Sequence, residues 1–113
     1  MRDRRSETRM LCADVVEARW RDESGRLRRI EALLEDISPR GACLQLDAAI
    51  RPGTPVALVC PGEKLNGLVR YCVFREIGYF LGVEFKAGTR WSRRQFEPRH
   101  LLDLEQLLKG PAR

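Results

Sequence analysis

From Met10 to Phe85 the chain alternates apolar and polar residues with a period of two, and turn residues break the alternation at short intervals. That pattern confines this stretch to β structure, because successive strand side chains face opposite ways while a helix needs apolar residues three and four apart. Met10, Cys12, Val16, Ala18 and Trp20 share one face of a first strand, with Leu11, Ala13 and Val15 on the other. Glu23-Ser24-Gly25 supplies a tight turn, and Leu27 to Glu35 returns with Ile30, Ala32 and Leu34 opposite Arg29 and Glu31, completing a hairpin. Asp36 to Gly41 reads as a turn, Ala42 to Leu46 as a short strand, and Arg51-Pro52-Gly53 as the turn into Thr54 to Cys60. Pro61-Gly62 precedes a strand over Leu65 to Arg75, and Glu76-Ile77-Gly78 separates it from Tyr79 to Phe85. Six short antiparallel strands expose two edges unless they close. The expected fold is therefore mainly β, a six-stranded antiparallel barrel.

After Pro98 the period changes. Leu101, Leu104 and Leu108 fall at i, i+3 and i+7, with Leu102 and Leu107 widening the stripe until Gly110-Pro111, which predicts a C-terminal α-helix over about 98–109 that covers the barrel. At 113 residues there is room for one domain. The expected organisation is a flexible, Arg-rich N-terminal segment over 1–9 followed by the barrel domain over 10–113.

The formal net charge is +5, and all basic residues except Lys64, Lys86 and Lys109 are arginine, which points to an anionic partner wherever the arginines cluster. The N-terminus mixes arginine with Asp3 and Glu7 and lacks the apolar segment of a secretion signal, and no run approaches the ~20 apolar residues of a spanning helix. A cytoplasmic protein without membrane insertion is expected. Cys12, Cys43, Cys60 and Cys72 are widely spaced among apolar neighbours, and the single histidine, His100, has no cysteine near it, so the thiols read as reduced core groups and no metal site is expected.

Two polar clusters carry the functional signal. Arg4-Arg5-Ser6-Glu7-Thr8-Arg9 opens the chain, and Asp36-Ile37-Ser38-Pro39-Arg40-Gly41 follows the first hairpin. Guanidinium forks hold phosphate oxygens or the O6/N7 edge of guanine, and a carboxylate accepts from guanine N–H groups. These are the parts of a guanine-nucleotide receptor. An arginine pair spaced RxxxR (Arg5, Arg9), a hairpin, and then DxSxxG (Asp36, Ser38, Gly41) entering a strand resembles the PilZ domain family, and Gly78 to Phe85 is similar to that family's late G-x-x-x-G-V-x-F strand.

The resemblance implies a PilZ-type barrel that binds the bacterial second messenger cyclic di-GMP and passes the signal to an unidentified downstream protein without catalysis. It implies ligand contacts from Arg5, Arg9, Asp36, Ser38 and Gly41. Arg4, immediately before the pair, matches a position that sets ligand stoichiometry, so a stacked ligand dimer is expected. The N-terminal segment is expected to order over the nucleotide, against the Asp36 to Gly41 loop.

Two other readings stand beside this one: a PilZ-like protein adaptor that binds no nucleotide, and a small barrel that binds single-stranded nucleic acid. The adaptor would lose the arginine pair or the Asp/Ser pair, and both are present. Nucleic-acid binding wants exposed aromatics on strand faces, whereas most of the eight aromatic residues fit the core pattern. No nucleophile triad, acidic dyad or P-loop appears at a working spacing, so no enzyme activity and no cofactor are expected. Arg40 and the Arg90 to Arg94 segment receive no assigned role. Within that segment, Thr89 to Arg94 interleaves cations with Trp91 and reads first as a loop.

Overall fold

The computed structural model of the chain describes residues 9–103. Six strands form the barrel: β1 (Met10–Arg21), β2 (Leu27–Ser38), β3 (Gly41–Leu46), β4 (Pro55–Cys60), β5 (Glu63–Arg75) and β6 (Gly78–Phe85). All pair antiparallel in the order β2-β3-β6-β5-β4-β1, and β1 also pairs with β2, which closes the ring and leaves no strand of the six with an open edge. The period-two pattern produces this directly. Ala18, Ala32, Leu34, Leu44, Leu58, Leu65, Val69 and Leu81 point inward and are almost wholly buried, while their sequence neighbours face out.

Trp20, Trp91 and Phe96 complete the core. Trp20 packs inside with the Arg28 guanidinium 5.4 Å from its ring. Trp91 lies in the loop after β6, donates its indole N–H to the Phe96 carbonyl at 2.8 Å, and is buried in the core, so the aromatic of the Thr89 to Arg94 segment serves packing.

The expected C-terminal helix is corrected in its first turns. Residues 98–101 form turn and irregular structure, and β7 (Leu102–Asp103) pairs with Leu11 and Met10 of β1. The local cause is visible at Asp14, whose carboxylate accepts the Arg99 N–H at 3.0 Å while Ala13 N–H bonds the Arg99 carbonyl. The chain is thereby held along β1 in extended form. The remainder of the expected helix, from Leu104 on, lies outside the described residues.

Three β-bulges shape the outer wall. In the β2–β3 ladder Leu34 faces Leu44 and Asp36 faces Cys43, so Glu35 is an extra residue. The β1–β2 register shifts at the same level, between Leu11 and Asp14. In the β5–β6 ladder Val69 faces Val83 and Tyr71 faces Gly82, so Arg70 is extra. An inserted residue switches which side chains face the core. Without the bulge, with Glu35 counted in a regular alternation, Asp36 and Ser38 would continue the inward series of Ala32 and Leu34. With it, Ile37 enters the core fully buried and its two polar neighbours face outward.

Candidate functional site

The two bulges at Glu35 and Arg70 act on one region of the outer wall. Ladder partners run across four strands as Asp36 on β2, Cys43 on β3, Gly82 on β6 and Tyr71 on β5. Ser38 and Gly41 lie beside this row, directly opposite each other at the β2–β3 hairpin. Arg9, just ahead of β1, reaches across to the same place, donating from Nη2 to Asp36 Oδ2 at 2.6 Å. These residues, with Arg70 and Val83, line a shallow basin of about 250 Å³.

The carboxylate of Asp36 is the organising charge. Its side chain is 12 % exposed while that of Arg9 is 58 % exposed, so the acid is fixed in the wall and the guanidinium stands on the surface with most of its donors outward. The hydrogen bond to Asp36, and then the carboxylate's negative charge, raise the Arg9 pKa above its already high value, so the site keeps its cation at every physiological pH. Burial, and then the charge of Asp36, push Glu35 up from the usual carboxylate range.

The hairpin beneath the basin is shorter than the sequence implies. Pro39 and Arg40 alone form the turn, and Asp36 to Ser38 belong to β2. The Ser38 hydroxyl donates to the Gly41 carbonyl and accepts from the Arg40 N–H, both at 3.4 Å, so it caps this turn. The turn is anchored further by Phe85 N–H donating to the Arg40 carbonyl and Trp91 N–H donating to that of Pro39. Gly41 lines the basin, and its missing Cβ also answers a constraint within the barrel wall: a Cβ there would stand 2.6 Å from the Val83 carbonyl oxygen. The glycine lets β3 and β6 approach.

On the far side of the basin Tyr71 lies over Gly82. A Cβ on Gly82 would meet the tyrosine ring at 2.1 Å, so the missing side chain is what lets the ring lie flat against β6. The ring is 48 % exposed, and its hydroxyl donates to Cys43 Sγ at 3.8 Å. Burial raises the pKa of both groups, so the tyrosine and the thiol stay protonated at neutral pH. Arg70, the bulge residue, pairs with Glu84 at the rim.

Four basin residues, Cys43, Arg70, Tyr71 and Gly82, escape the sequence reading. The sequence continues its odd-numbered apolar series through Tyr71 and Val73, whereas in the structure the inward residues of β5 run Leu65, Gly67, Val69 and then Cys72, a change of parity at the bulge that turns Tyr71 outward. Of the expected site residues, the structure brings together Arg9, Asp36, Ser38 and Gly41. Arg4 and Arg5 lie outside the described residues.

The chain is a closed six-stranded antiparallel barrel with a cation, an acid and an aromatic ring gathered on its outer wall. The PilZ domain model matches residues 3–98, and the chain belongs to the PilZ domain family. Among solved structures, the chain is similar to the PilZ domain with c-di-GMP of YcgR from Escherichia coli, with a TM-score of 0.53 at 14 % identity, covering 74 % of this chain and 78 % of that one. No curated protein matches the chain. Among the described residues no helix is long and apolar enough to cross a membrane, and no group of His, Cys, Asp and Glu is arranged to hold a metal ion.

Proposed function

We propose that this chain binds cyclic di-GMP at the Arg9–Asp36 basin and serves as a non-catalytic signalling effector. The observation that carries the reading is the convergence of two motif residues 27 positions apart, Arg9 and Asp36, in one 2.6 Å ion pair beside an outward-facing aromatic ring. A cyclic dinucleotide offers two phosphates and two purine faces, and the basin holds a partner for each kind of group.

Arg9, oriented by Asp36, presents its outward donors to a phosphate. A carboxylate has two oxygens with about four lone-pair positions, so Asp36 can hold Arg9 and accept the N1 and N2 donors of guanine together. Tyr71 gives a flat surface on which a base can stack. Ser38 and Gly41 set the level of the floor. Arg4 and Arg5 enter the reading through their sequence positions and contribute further guanidinium groups, with two stacked ligand molecules per chain. Ligand draws the N-terminal segment over the basin and so changes the surface offered to a downstream protein.

Calorimetric titration of the full chain with cyclic di-GMP, GMP and a single-stranded RNA tests this. Saturation by cyclic di-GMP at micromolar concentration, at two molecules per chain, with weaker or absent response to GMP and RNA, is the expected result. No heat from cyclic di-GMP at roughly tens of micromolar would overturn it, since several charge-assisted bonds at ~1.5–3 kcal/mol each bind more tightly than that.

A further inference from the structure

The opposite half of the barrel wall carries a second feature. On the outer surface of β1, β4 and β5 a groove of about 440 Å³ is lined by Arg19, Arg21, Lys64 and Lys86, with no aspartate or glutamate among its lining residues. Its depth has a simple origin: Ala57 of β4 sits between Arg19 and Asn66 in the ladder, so a small side chain is flanked by long ones. Leu27, 42 % exposed, and the exposed Pro55 add apolar surface at one end.

The charge arrangement is costly for the barrel itself. Arg19 stands directly opposite Arg29 in the β1–β2 ladder, a like-charge pairing that opposes folding, and the acid that holds Arg19 is Glu17 on its own strand at 2.7 Å. Packing alone gives no reason to gather cations around a small floor. An anionic occupant supplies one.

We propose that this groove docks an acidic segment of a partner protein, one that places aspartate or glutamate against Arg21, Lys64 and Lys86 and apolar side chains against Leu27, Pro55 and Ala57. A nucleic-acid strand fits less well, because the groove's aromatic, Trp20, is 5 % exposed with Arg28 against its ring and offers bases nothing to stack on. The surface is separate from the Arg9–Asp36 basin, so a partner and a nucleotide can be held at once.

The test uses a fluorescein-labelled peptide of alternating acidic and leucine residues, read by anisotropy with the full chain at low salt, beside a labelled oligo-dT of equal charge. The expected result is saturable peptide binding that weakens with salt, falls about ten-fold or more in Lys64→Glu/Lys86→Glu, and is little changed in Arg93→Glu/Arg94→Glu, which has the same net charge. Circular dichroism confirms that both variants fold. An absent peptide signal, equal losses in both variants, or tighter binding of oligo-dT than of peptide would each overturn the proposal.

Discussion

Arg9 and Asp36 are separated by 27 residues and by the whole first hairpin, yet Arg9 Nη2 lies 2.6 Å from Asp36 Oδ2. The acid is held in the barrel wall and the base is exposed, so their contact fixes where a surface guanidinium points. A pair this exposed on one side adds little to stability by itself. Its consequence is orientation. Arg9→Ala should therefore weaken cyclic di-GMP binding by about ten- to a hundred-fold while moving the thermal midpoint little. Asp36→Asn should weaken binding comparably, and the double variant should lose less than the sum, as measured by calorimetry in a double-mutant cycle.

The two basin glycines should fail in different ways. At Gly41 an added Cβ meets a backbone oxygen, Val83 O, which cannot move without displacing β6, so Gly41→Ala should cost about 1–3 kcal/mol of stability in urea unfolding. At Gly82 the added Cβ meets the Tyr71 ring, a half-exposed side chain that can swing away. Gly82→Ala should keep more stability than Gly41→Ala and lose nucleotide affinity to about the extent of Tyr71→Ala, roughly ten-fold. If Gly82→Ala binds like the native chain, the flat tyrosine has no part in recognition.

Deleting Glu35 should remove the β2 bulge. Leu34 would then be followed directly by Asp36, so that plain alternation along a regular β2–β3 ladder keeps Asp36 and Ser38 facing outward and Ile37 in the core. The expected outcome is a chain that still folds at 25 °C by near-ultraviolet circular dichroism, with Ile37 in the core and Asp36 on the outer wall. Glu35→Ala keeps the residue count and should fold.

A pH dependence follows from the β1–β2 turn. Asp22 Oδ1 accepts from the Ser24 hydroxyl at 2.7 Å and from the backbone N–H groups of Ser24 and Arg26, and these bonds, the hydroxyl's first, hold its carboxyl below the usual carboxylate range. A lowered folded-state pKa contributes stability that is complete above the unfolded value of ~3.9 and is lost as pH falls through the folded one. Asp22→Ala should therefore melt lower than the native chain at pH 7, and the gap should narrow below about pH 4.

Burial pushes the thiols of Cys12 and Cys60 up to about 12. Neither should react with a disulfide reagent at pH 8 until denaturant is added, and titration of released chromophore in native and unfolded chains will show the difference.

Much of the barrel was legible because its cause is local. Alternation of Ala32 and Leu34, or of Leu81, Val83 and Phe85, and turns at Gly25, Gly53 and Gly62 with positive φ, are written in neighbouring residues, so all six strands were anticipated with ends shifted by at most a few positions. The two polar motifs were legible for the same reason, as spacings of residue types. Over residues 98–103 the expected helix is replaced by turn and extended structure where a distant group intervenes, since the Asp14 carboxylate and the Ala13 N–H hold Arg99 against β1.

What the sequence by itself determined is the number of strands, their inward faces and the inventory of charged groups, because period and composition are properties of short stretches. Tertiary structure alone decided which way Asp36, Ser38 and Tyr71 face. That choice depends on one extra residue in each of two ladders, Glu35 against β3 and Arg70 against β6, and an extra residue exists only relative to the strand it is paired with. The same ladders bring Asp36 on β2 into one row with Tyr71 on β5 across Cys43 and Gly82, with Arg9 folded onto its end, and so turn two separate motifs into one basin.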